Sequence, residues 1–291
     1  MVTRQTPLKL VIVFLLLPVL LSLAGCTTLS GTKKVGDITM EYQTRGGGYP
    51  LIMIMGFSGT MDFWASDILD ALSSQYKVIT FDNRGMGGTT AGRRQFTIEQ
   101  FADDTAGLME VLGIDRAYVL GWSMGTEIAQ ELTLRHPEKV ARLVLYGADC
   151  SMKTCPPSPN VLKRMNDTSG TPQERGKRMI GLLFPQNWIK SHANHIKKLF
   201  SRPMRVSSPE NIERQGMAMD SWKGSCDRLS QITCPTLLIT GTDDILTPPQ
   251  NSYLMVDKIP GAKLVTLKNG GHGVMYQYPV KFCDAVIGFL K

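Results

Sequence analysis

Six short apolar runs recur along the chain, at residues 51–55, 77–81, 117–121, 142–146, 236–240 and 263–267, with helical patterns between several of them. Runs this continuous describe strands buried on both faces, which is the condition of a parallel sheet covered by helices. Phe101, Thr105, Leu108 and Leu112 fall on one helical stripe, opened by Thr97 and Gln100 at capping-box spacing. Ile128, Ala129 and Leu132 mark a second helix that stops before His136-Pro137. A last helix starts near Pro279 and presents Phe282, Val286 and Phe289. The expected fold class is therefore α/β, with a mostly parallel central sheet and helices on both faces.

One segment breaks the alternation. From Ser151 to about Gln231 no strand-like run occurs, while Met and Pro recur, so we expect a mostly helical insertion between two strands. The expected organisation is a leader at 1–25, a tether at 26–36, a core at 37–150 and 236–291, and a helical cap at 151–235. The formal net charge is +7, and the cap alone holds 14 Lys+Arg against 6 Asp+Glu. No basic and aromatic interleaving of a nucleic-acid module accompanies that excess, so no nucleic-acid partner is expected. The cap's basicity is read either as a solvated face or as a surface turned toward anionic lipid or an acidic substrate.

Residues 1–26 carry two cations, Arg4 and Lys9, then a 14-residue apolar run from Leu10 to Leu23, then Ala24-Gly25-Cys26. A membrane-spanning helix needs about 20 residues, so a cleaved export signal is expected instead. Leu23-Ala24-Gly25-Cys26 resembles a bacterial lipobox, which implies lipidation at Cys26 and an exported protein held at the membrane surface of the cell envelope. Outside the cytosol disulfides persist. Proximity alone suggests Cys150 with Cys155 and Cys226 with Cys234, leaving Cys283 over. No Cys-x-x-Cys or His-x-x-x-His spacing points to a metal site, and no cofactor is expected.

Gly121-Trp122-Ser123-Met124-Gly125 follows a strand-like run and opens a helix. A serine on such a turn needs unusual backbone geometry, and the flanking glycines let strand and helix approach while the hydroxyl projects upward. A serine is a weak nucleophile without a base, so an acid and then a histidine should follow it in the chain. Gly270-Gly271-His272-Gly273 supplies the imidazole in a loop between the last strand and the last helix. His136, His192 and His195 are weaker candidates, with no third group beside them. The acid lies in Gly241-Thr242-Asp243-Asp244, where either carboxylate is able to point inward from the loop. Its task is to orient the imidazole and stabilise its cationic form.

At these residues the chain resembles the α/β-hydrolase superfamily, and the likeness covers nearly all of residues 37–291. Met55-Gly56-Phe57-Ser58-Gly59 stands where the family often has His-Gly, and Asp82-Asn83-Arg84-Gly85-Met86-Gly87-Gly88-Thr89 resembles a family loop that is usually structural. The resemblance implies Asp244 as the acid, with Asp243 as the alternative. It also implies that the backbone N–H groups of Phe57 and Met124 form the oxyanion hole. Thr126 departs from the family, replacing a second glycine common among relatives, and is expected to narrow the elbow or pack against a strand.

The resemblance implies a serine hydrolase, carboxylesterase- or lipase-like, cleaving an ester or related acyl bond through an acyl-enzyme at Ser123. Dehalogenases and epoxide hydrolases of the fold use an aspartate nucleophile, and epoxide opening also uses cap tyrosines, which residues 151–235 lack. Enol-lactonases fit the triad, as do iminopeptidases, although the latter hold a substrate amine with an acidic cap and this cap is basic. Two other functions share the constellation: a cofactor-free perhydrolase or haloperoxidase, and a ligand-binding or signalling module that keeps the fold without turnover. The cap's Met residues, with Phe184, Trp188 and Phe200, either line an acyl pocket or pack the cap onto the core.

Overall fold

The computed structural model describes residues 28–200 and 205–291; the leader at 1–25 and Cys26 lie outside them. A hairpin of β1 (Leu29–Val35) and β2 (Ile38–Arg45) opens the described chain, turning at Gly36, whose φ of 53° suits a residue without Cβ. The expected tether at 26–36 is thus corrected: Leu29–Val35 is an edge strand, paired antiparallel along its whole length with β2. Its LSGTKKV sequence is mostly exposed and carries no apolar run to betray it.

The remaining strands are β3 (Pro50–Ile54), β4 (Lys77–Phe81), β5 (Ala117–Trp122), β6 (Val140–Tyr146), β7 (Thr236–Gly241) and β8 (Lys263–Leu267). They form one eight-stranded sheet in the order β1-β2-β4-β3-β5-β6-β7-β8, parallel from β4 to β8. Between strands run α1 (Ser66–Ser73), α2 (Ile98–Val111) and α3 (Met124–Arg135). The insertion between β6 and β7 carries α4 (Pro159–Met165), α5 (Pro172–Leu183), α6 (Gln186–Ser191), α7 (Ala193–Leu199) and α8 (Pro209–Ser221). The chain closes with α9 (Pro249–Lys258), α10 (Val274–Gln277) and α11 (Pro279–Leu290). Among the described residues, no helix is long and apolar enough to cross a membrane.

Strand pleating explains the two cores. Ile52 and Ile54 of β3 face a cluster with Phe101 and Leu108 of α2 and Ile128 and Leu132 of α3. Leu51 and Met53 face the opposite cluster with Leu72 of α1 and Phe282 and Val286 of α11. Side chains alternate across a strand, so a continuous apolar run feeds both faces at once. The capping box forms by half: Thr97 Oγ1 accepts from the Gln100 N–H at 3.0 Å, but the Gln100 amide turns to Asp104 at 2.9 Å.

Cys150 pairs with Cys226, at a sequence separation of 76, while Cys155, Cys234 and Cys283 are free. Both pairings expected from proximity are therefore corrected. The chain after β6 returns beside Gly224 and Ser225, where the Ser225 N–H donates to the Cys150 carbonyl at 2.8 Å. Nearness in sequence does not decide this bond; the docking of the insertion does. The same docking engages Arg205 with Asp62 and Glu41, and Arg228 with Glu131, so part of the cap's basicity is neutralised against the core.

Candidate active site

Ser123 caps α3 with φ 56° and ψ −127°, a strained conformation for a residue with a Cβ. The glycines around it are required by contact. A Cβ on Gly121 would meet the Gly125 carbonyl oxygen at 2.2 Å, and a Cβ on Gly125 would meet the Ile54 oxygen at 2.2 Å. The turn is clamped by the Ser123 N–H donating to the Tyr146 oxygen at 3.0 Å. Thr126, fully buried, donates both its N–H and its hydroxyl to the Ser123 carbonyl at 2.7 Å. The residue that departs from the family thus packs inside the elbow and braces it.

At the ends of β7 and β8, His272 Nδ1 lies 2.8 Å from Asp244 Oδ2. Asp244 also accepts from the N–H groups of Leu246 and Thr247 through Oδ1, and from the Thr247 hydroxyl through Oδ2, each at 2.9 Å. Asp243 is exposed and accepts from the Thr242 hydroxyl at 2.8 Å, away from the imidazole. The His272 loop is held by the Tyr146 hydroxyl, which donates to the His272 carbonyl, and by the Gly271 N–H donating to Gln277 at 2.7 Å. Ser123 and His272 line the same cavity, although no hydrogen bond joins their side chains among the described residues. Such contacts often tighten only when substrate is bound.

The Phe57 and Met124 N–H groups donate to no internal acceptor among the described residues. Their loops are firmly placed. Asn83 donates to the Met55 carbonyl at 3.0 Å, and the Ser58 N–H donates to Gln215 of α8 at 2.6 Å. Gly56 stands so near the serine that a Cβ there would meet Ser123 Cβ at 3.0 Å. Asp82 and Arg84 are structural, as the resemblance implied. Asp82 accepts from the Met61 and Gly88 N–H groups, and Arg84 forks onto Asp104 at 2.7 Å while reaching Asp37 at 2.8 Å.

The cavity, of about 170 Å³, is roofed by Met152, Met165, Met179 and Met219. Phe184 and Trp188 instead stack on each other at 4.9 Å, with Phe184 set edge-on to Tyr276, so the cap's methionines and aromatics divide between lining and packing. His136 pairs with Asp103, and His192 stacks on Trp188, both away from the cavity. Among the described residues, no cluster of three or more His, Cys, Asp or Glu is suited to a metal ion.

Two cavity-wall residues, Glu127 and Asp149, escaped the sequence reading. Burial raises both carboxyls, Asp149 to about 6 and Glu127 well above the usual carboxylate range. Signals for both exist. Glu127 follows Ser123 by one helical turn, and Asp149 lies in the loop at the carboxyl end of β6, where open α/β sheets bind ligands.

A family model described as alpha/beta hydrolase fold matches residues 49–279. The chain belongs to this family. A relative from Azorhizobium caulinodans, named "Putative carbamate hydrolase RutD", is 28% identical over 261 residues, covering 87% of this chain and 96% of its own. A thermophilic esterase from Thermogutta terrifontis superposes with a TM-score of 0.76 at 24% identity, over 90% of this chain and 98% of its own. The enol-lactonase from Burkholderia xenovorans LB400 gives a TM-score of 0.75 at 22% identity, over 89% and 99%. These two structures share the fold with this chain, and the family supports hydrolase activity.

Proposed function

We propose that this hydrolase transfers the acyl group of an ester or related carbonyl compound to water through Ser123, His272 and Asp244. The observation that carries this reading is a buried His272–Asp244 hydrogen bond on the cavity that also holds a strained, half-buried Ser123. With Nδ1 bonded to Asp244, the Nε2 nitrogen of His272 takes the proton as Ser123 Oγ attacks the carbonyl carbon. Negative charge gathers on the carbonyl oxygen and is stabilised by the Phe57 and Met124 N–H groups. His272 returns the proton to the leaving group as its bond to the acyl carbon breaks. Water then attacks the acyl-enzyme, giving its proton to His272, which passes it to Ser123 as the acid is released. A relative named for carbamate hydrolysis supports extending the substrate class to carbamates, which present the same acyl carbon.

A fluorophosphonate probe tests this reading, with attachment expected at Ser123 and lost in Ser123→Ala. Turnover of a phenyl ester should fall by at least ~10³-fold in that variant. An unlabelled serine in the folded protein is the result that a non-catalytic binding module would give.

We further propose that the protein is exported and lipid-anchored through Cys26. The lipobox-like Leu23-Ala24-Gly25-Cys26 supports this, as does a Cys150–Cys226 disulfide, which persists in oxidising compartments. Cys26→Ser should release the protein from the membrane fraction; unchanged membrane association would overturn the anchor.

A further inference from the structure

Six carboxylates are buried among the described residues: Asp82, Asp104, Glu127, Glu131, Asp149 and Asp244. Four are well partnered. Asp82 and Asp244 accept backbone N–H groups, Asp104 accepts Arg84 and Gln100, and Glu131 accepts Trp222 Nε1 at 2.8 Å together with Arg228. The other two differ. Glu127 is 1% exposed and Asp149 4%, and Glu127 Oε2 and Asp149 Oδ1 have no hydrogen-bond partner. Both side chains stand on the wall of the cavity that holds Ser123 and His272.

We propose that Glu127 and Asp149 form a subsite that receives a cationic nitrogen of the substrate, an ammonium group carried beyond the acyl bond. This deepens the hydrolase reading and rests on it. A buried carboxyl oxygen without a hydrogen-bond partner is destabilising, and this chain gives partners to its four other buried carboxyl groups. Their surroundings make the deficit one of positive charge. Glu127 feels the Asp149 and Asp220 carboxylates, and Asp149 is relieved by the His272 ring and the Ser151 N–H. Neither forms an ion pair with Lys or Arg among the described residues. An ammonium group supplies both missing elements, N–H donors for the free oxygens and a compensating charge. Met152 and Met219, on the same cavity, suit the alkyl stem of such a group. The acidic groups lie on α3 and the loop after β6, so the basic composition of the cap does not oppose an amine.

The test compares phenyl 6-aminohexanoate with phenyl heptanoate at neutral pH, a pair that exchanges an ammonium for a methyl group. The wild-type protein should favour the ammonium ester in kcat/KM by at least ~10-fold. Glu127→Gln and Asp149→Asn should each bring that ratio toward one. A wild-type ratio of one or below, or a ratio unmoved by both variants, overturns the subsite. Calorimetry on Ser123→Ala with n-hexylammonium and n-hexanol reads the subsite without turnover. Tighter binding of the ammonium, lost on adding Glu127→Gln, supports it, and equal binding overturns it. Absent fluorophosphonate labelling and absent hydrolysis of both esters overturn the hydrolase reading instead, and calorimetry still decides the subsite.

Discussion

His272 Nδ1 faces Asp244 Oδ2 at 2.8 Å, while Asp243, its neighbour in the chain, accepts from the Thr242 hydroxyl on the protein surface. The loop after β7 decides between them. The Asp244 N–H reaches back to the Gly241 carbonyl, and its carboxylate closes onto the N–H groups of Leu246 and Thr247.

Replacement of the two acids should therefore separate cleanly. In the proposed mechanism Asp244 stabilises the imidazolium, so Asp244→Asn should lower kcat by ~10²- to 10⁴-fold. Asp243→Asn should leave kcat within about threefold, as a surface substitution does. Steady-state hydrolysis of phenyl heptanoate distinguishes the pair, and a larger loss in Asp243→Asn would reverse the assignment.

The elbow glycine should be intolerant for a steric reason. In Gly125→Ala the new Cβ would sit 2.2 Å from the Ile54 oxygen, so β3 and α3 must separate, at a cost of about 3 kcal/mol. Gly288→Ala in α11 is the control. Its Cβ meets nothing within 4 Å, and the helix should gain about 1 kcal/mol. Thermal melts should show opposite signs for the two.

Reduction of the Cys150–Cys226 bond should destabilise the protein by about 4 kcal/mol, because it frees a long loop in the unfolded chain. Cys150→Ser should reproduce the loss. Non-reduced peptide mapping should find Cys150 joined to Cys226 and the thiols of Cys155 and Cys234 free.

Stability should also report on Asp149. Its carboxyl titrates at about 6 in the folded protein, above its ordinary 3.8, because burial disfavours the charged form. Glu127 and Asp220 crowd the same negative region, opposed by His272 and the Ser151 N–H. The folded state thus holds the proton more tightly, and wild-type stability declines as pH rises from about 4 through 6. Asp149→Asn escapes that decline. Its melting temperature should match wild type at pH 4 and exceed it at pH 7.5, by the equivalent of about 1–3 kcal/mol.

Much of this architecture was legible because local patterns carry it. The six apolar runs are the six strands from β3 to β8, since continuous burial on both faces leaves an unbroken apolar record. The serine elbow was legible through its glycines, which answer to clashes with backbone one strand away. The β1–β2 hairpin was not legible. β1 is exposed along most of its length, and its pairing is satisfied by backbone hydrogen bonds that any residue supplies.

By itself the sequence determined the α/β alternation, the chain order of Ser123, an acid at Asp243-Asp244 and His272, and the basic composition of the insertion. These are properties of neighbours along the chain, set by periodicity, steric need and charge. Tertiary structure alone decided which distant groups meet. It joined Cys150 to Cys226 rather than to Cys155, turned Asp244 and not Asp243 to the imidazole, and set Arg205 and Arg228 against the core. It also left Glu127 and Asp149 buried on the cavity wall with oxygens unpartnered. Proximity between residues far apart in sequence follows from how helices and loops pack over the sheet, and only that packing shows which buried charges lack a partner.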